Sequence, residues 1–174
     1  MKRRTIFVSM LLHFLLLMII YVFQGMIFPY MRLTGLVPLL LPIASTGVAV
    51  YEGRSAGGIF GLFAGIFCDV SFNEPAGLFT VLLTLSGLLI GTMADSVITR
   101  RFATYILACA LVLSVSAFAQ MFPLMALNRA PLQPLLAMAI WQTVYSLFFA
   151  VPIWFFVQAL GKRAQRVSPP GRPL

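Results

Sequence analysis

Charge is what this sequence has least of. Only 9% of its 174 residues are Asp, Glu, Lys or Arg, against about a quarter in an ordinary water-soluble domain. Carboxylates are scarcer still: Glu52, Asp69, Glu74 and Asp95 are the full set, beside one histidine, His13. So thin a supply excludes a paired-acid site, a metal cluster or a nucleophile with its base at any recognisable spacing. It leaves no catalytic, cofactor-binding or metal-ligating residue to nominate, and no cofactor is expected. Cys68 and Cys109 have no C-x-x-C spacing and read as buried free thiols. Short alternating segments separated by turn signals are missing too, which excludes a β-barrel.

What is present is hydrocarbon. The chain is 61% hydrophobic with a mean hydropathy of +1.01, so its solvent is lipid. The length accommodates roughly six spans of about 20 residues with short loops. The expected fold is all-α: a polytopic membrane bundle of six transmembrane helices, with residues 1–166 forming one domain and residues 167–174 a proline-rich, disordered cytoplasmic tail. The apolar runs place the spans at about 5–28, 34–51, 55–71, 77–97, 102–122 and 133–160. Pro38 and Pro42 in the second, and the shortness of the third, predict that one of these two is kinked, tilted or partly re-entrant.

Basic residues set the orientation. With the N-terminus cytoplasmic, Lys2, Arg3, Arg4, Arg54, Arg100, Arg101, Lys162, Arg163, Arg166 and Arg172 flank the inner side and only Arg32 and Arg129 the outer. The same split requires an even number of spans and puts the C-terminus inside. The net charge of +8 therefore describes topology and contact with anionic lipid, and no basic stripe interleaved with stacking aromatics points to nucleic acid. Lys2-Arg3-Arg4 before an apolar run resembles a signal peptide, but the run is too long and lacks a small-x-small cleavage site, so it reads as a retained anchor. Trp141, Trp154, Tyr30 and Tyr51 lie near span ends, where interfacial aromatics are expected.

The most informative pattern is Gly53-x3-Gly57-x3-Gly61-x3-Gly65-x3-Asp69, followed in the next apolar segment by Gly87-x3-Gly91-x3-Asp95. A four-residue step turns about 40° past one helical turn, so each ladder lies on nearly one face and leaves a bare strip where another helix can come close. These two smooth helices are expected at the centre of the bundle. Gly57, Gly61, Gly65, Gly87 and Gly91 are its candidate packing or partner-binding positions, and a partner's transmembrane helix is expected to seat in a groove they line.

Intramembrane acids cost about 2.5–3.5 kcal/mol at mid-helix, so Asp69 and Asp95 are functional candidates by default. For Asp69 and the Asn73-Glu74-Pro75-Ala76-Gly77 loop after it, loop ordering, a cap on the third span's last turn and ligand binding all remain open. Asp95 is expected to pair with Arg54, Arg100 or Arg101. His13 lies deep enough to stay neutral and bond a neighbouring helix, with no other titratable group expected at its depth.

The run from Leu41 to Gly91 resembles the MreD family of rod shape-determining membrane proteins. It has a Pro-containing second span, a glycine-rich third closing on Asp69, then Pro75-Ala76-Gly77 before a span with Gly87 and Gly91. The resemblance implies a non-enzymatic scaffold in the bacterial cytoplasmic membrane that binds MreC and acts with RodA, its transpeptidase partner and, indirectly, MreB in lateral peptidoglycan synthesis. The family is similar in fold to the S-components of energy-coupling-factor transporters. An alternative is therefore a vitamin-binding subunit using outer-loop residues near Asn73, Glu74 and Asn128. The short, donor-poor outer loops favour the scaffold.

Overall fold

The computed structural model describes residues 2–26, 38–72, 77–96, 102–126 and 132–167. These form six helices: α1 (Lys2–Met26), α2 (Leu40–Glu52), α3 (Arg54–Phe72), α4 (Leu78–Ser96), α5 (Phe102–Ala126) and α6 (Leu132–Val167). Among the described residues no strand occurs. Four helices are long and apolar enough to cross a membrane: α1, α4, α5 and α6. Their outward faces carry large apolar side chains at helical spacing, as on α4, where Val81, Leu85, Leu89 and Met93 are all exposed. Such a surface is stable against hydrocarbon and would not be against water.

The centre is α2, contrary to the expectation for the glycine ladders. Every residue from Leu40 to Val50 is buried, and α2 touches all five other helices. Its 13 residues extend about 20 Å at 1.5 Å each, short of the roughly 30 Å of hydrocarbon. Small residues let neighbours approach from every side: a Cβ on Gly47 would meet the Tyr105 ring and the Val157 side chain, both at 3.3 Å. Pro42 breaks nothing, because it sits in the first turn, where a missing N–H interrupts no helical bond. Ser45 and Thr46 turn their hydroxyls onto the Pro42 carbonyl at 3.0 and 2.7 Å, so these two buried hydroxyls are satisfied within α2 itself.

On one flank of α2, α3 and α4 form the most closely packed pair. On the other, α5 and α6 meet through a buried Tyr105–Trp154 stack at 4.6 Å, and the Tyr105 hydroxyl donates to the Ala150 carbonyl at 3.2 Å, two residues before Pro152. Trp154 is thus a core residue, 3% exposed, rather than an interfacial one. Trp141 is 68% exposed. Tyr51 packs against Gly161. Cys68 and Cys109 are buried and free. Helix α6 includes Val167, the first residue assigned to the tail, while the remainder of the tail and Tyr30 lie outside the described residues.

Candidate functional site

The ladder glycines face one another. A Cβ added to Gly57 would strike the Gly87 carbonyl oxygen, one on Gly87 the Gly57 carbonyl, one on Gly61 the backbone of Leu83 and Thr84, one on Gly65 that of Phe79 and Thr80, and one on Gly91 that of Gly53 and Arg54. Backbone therefore lies on backbone along the whole antiparallel pair. Close approach of this kind gains dispersion contacts that lipid does not match, which is how small residues drive helix association in a bilayer. The strip expected to seat a partner's helix is occupied by α4.

Each aspartate closes one end of this pair by capping the opposite helix. Asp69, near the end of α3, accepts the Phe79 N–H through Oδ1 at 2.9 Å. Its Oδ2 accepts the Thr80 N–H at 3.1 Å and the Thr80 hydroxyl at 2.6 Å. It thus satisfies first-turn amides of α4, not the last turn of its own helix. Asp95, near the end of α4, accepts the Arg54 N–H that opens α3, at 2.9 Å. The expected partner was a guanidinium; the observed one is a backbone amide, while Arg100 and Arg101 lie outside the described residues. A carboxylate at a helix N-terminus meets orphan N–H groups and the positive end of the dipole together. Gly53 and Gly77, with φ of +90° and +98°, supply the left-handed turns that start α3 and α4. At Gly53 any side chain would also collide with the Asp95 carboxylate. Glu74 lies outside the described residues, as do Asn73 and Asn128.

A second polar group, which sequence reading missed, roofs the start of α2. The Leu39 N–H donates to Ser146 Oγ on α6 at 3.0 Å, and the Leu40 and Leu41 N–H groups donate to Gln24 Oε1 on α1 at 3.2 and 3.3 Å. Amides opening a helix inside a bundle need such acceptors because lipid supplies none. Gln24 and Ser146 are 5% and 0% exposed. Isolated polar residues inside apolar runs were the available signal for them.

A third joins α1, α2 and α6. His13 Nδ1 lies 2.8 Å from the Ser9 carbonyl oxygen and 4.0 Å from Glu52 Oε1, while Ser9 Oγ donates to the same Glu52 oxygen at 2.5 Å. This corrects the expectation that no titratable group shares the depth of His13. Glu52 ends α2, and the depth at which α2 ends was not readable from hydropathy.

On the outer surface an open groove of about 710 Å³ lies between side chains of α5 and α6. It is lined by Phe102, Ile106, Trp141, Tyr145, Phe148 and Val151, among other apolar side chains. A smaller one of about 390 Å³ continues along the same two helices past Phe118, Leu136 and Ile140. A family model described as rod shape-determining protein MreD matches residues 2–164. No curated protein and no solved structure matches the chain.

Proposed function

The chain belongs to the MreD family of rod shape-determining proteins, multi-pass proteins of the inner membrane, and from that membership we propose that it is a non-enzymatic scaffold of the cell-elongation machinery. In this reading its bundle holds the transmembrane helix of MreC and through it works with RodA, the transpeptidase partner of RodA and, indirectly, MreB. It crosses the membrane six times with both termini cytoplasmic, which accords with the ten-to-two division of basic residues. The pairing of α3 with α4 from Arg54–Asp95 to Asp69–Thr80 supports equal depths for the two. Helix α2 is the remaining crossing. One bundle domain over residues 1–166 followed by a short cytoplasmic tail is the organisation that goes with this topology.

The observation that carries the proposal is the α5–α6 groove. With the glycine strips of α3 and α4 already filled, it is a concave, aromatic-lined seat on the outer surface, where Trp141 and Phe148 are 68% and 76% exposed. Large rigid aromatics around an apolar groove suit an inserted helix. An outward-facing apolar trough suits a polar vitamin poorly, so the scaffold is preferred over the transporter subunit. Cysteines at positions 141, 144 and 148 are expected to cross-link in membranes to cysteines along the MreC helix, whereas cysteines at the lipid-facing positions 85 and 89 are expected not to. Combining Trp141→Ala with Phe148→Ala is expected to lower MreC recovery about tenfold or more. Cross-links confined to α4, with full recovery by the double variant, would remove the groove from consideration.

A further inference from the structure

His13 is 1% exposed, and both of its ring nitrogens face carbonyl oxygens: Nδ1 that of Ser9 at 2.8 Å, Nε2 that of Val157 on α6 at 3.4 Å. A neutral imidazole has one N–H and one bare nitrogen. Between two acceptors it can satisfy one and must turn a lone pair on the other. The doubly protonated ring donates to both, and the charge it then carries has an anion beside it, because Glu52 Oε1 lies 4.0 Å from Nδ1. That carboxylate is held in place by the Ser9 hydroxyl at 2.5 Å.

We infer that Ser9, His13, Glu52 and the Val157 carbonyl form a proton-binding site that joins α1 to α2 and α6, with His13 taking a second proton and Glu52 serving as its counter-ion. Glu52 is the solvent-facing member of the cluster, its side chain 27% exposed while that of His13 is fully enclosed. No other charged group has a described contact with the ring. Helix α3 presents the Phe60 ring, edge-on at a centroid distance of 6.2 Å, and Arg54 on α3 and Lys162 and Arg163 on α6 are exposed. Uptake of the proton adds the Nε2–H···Val157 link and an ion pair, so it clasps α1 against the two helices behind it.

The chain has one histidine, so the imidazole nitrogens of ¹⁵N-histidine-labelled protein in lipid nanodiscs give unassigned-signal-free spectra. At about pH 5 the wild-type ring is expected to carry a proton on both nitrogens. In Glu52→Gln the doubly protonated fraction at that pH is expected to fall by about half or more. Ser9→Ala, which keeps the carboxylate but frees it, is expected to lower that fraction by less and serves if Glu52→Gln does not fold. A wild-type ring carrying one proton at about pH 5 overturns the site, as does a doubly protonated fraction unchanged in the folded variants.

Discussion

Gly61→Leu is expected to prevent the bundle from forming, and Gly61→Ala to destabilise it by about 3 kcal/mol, toward the upper end of overpacking costs. The severity follows from what stands opposite. A Cβ at Gly61 meets the carbonyl of Leu83 and the Cα of Thr84, both backbone, so no rotamer change makes room. Helices α3 and α4 would have to separate along their shared strip, and because both also pack on α2 the displacement would reach the core. Gly65, whose added Cβ would strike Thr80 Cα, is expected to behave alike. Gly25→Leu is the control, since nothing lies within 4 Å of a Cβ there. Thermal stability in detergent, followed by size-exclusion chromatography, separates the cases: Gly61→Leu and Gly25→Leu should differ by the whole folding transition. Equal stability of the two would mean that α3 and α4 do not touch through their glycines.

Asp69→Ala is expected to cost about 2–3 kcal/mol, and Asp69→Asn roughly half of that. Three donors converge on this carboxylate. Truncation leaves the Phe79 and Thr80 amides and the Thr80 hydroxyl without their acceptor at the start of a membrane helix, combining the loss of an N-cap with that of charge-assisted bonds. Asparagine keeps one acceptor oxygen, and the Thr80 hydroxyl can turn to accept from its amide. A graded series, wild type above Asn above Ala in thermal stability, identifies the residue as a cap. Wild-type stability in Asp69→Ala, paired with loss of MreC recovery, would instead assign the carboxylate to a partner.

Much of this architecture was readable in advance because it rests on local pattern. Hydrophobic runs place six helices, and the expected third and fourth spans, about 55–71 and 77–97, lie within a residue of α3 and α4, bounded in both readings by the glycine and aspartate positions. The spacing of the ladders foretold a bare strip on each helix. What spacing does not encode is which surface lies opposite. Two strips on consecutive antiparallel helices can close on each other or on something else, and here they close on each other. The place of α2 was missed for a related reason: Pro38 and Pro42 suggested a span that is kinked, tilted or partly re-entrant, whereas small or apolar residues on every side, from Ala44 through Gly47 to Ala49, were the sign of a helix wrapped by protein. The meetings of Ser9 with Glu52 and of Leu39 with Ser146 join positions 43 and 107 residues apart, and no periodicity links such positions.

Those 107 residues bear on biogenesis. The ribosome delivers the middle helix long before it delivers Ser146, and in the interval the Leu39 amide has no acceptor that the bilayer can provide. This segment therefore reaches its final seat only after the last helix has left the translocon, so the order of synthesis and the order of assembly differ. Chains truncated before α6 lack the Ser146 hydroxyl that accepts from the Leu39 amide.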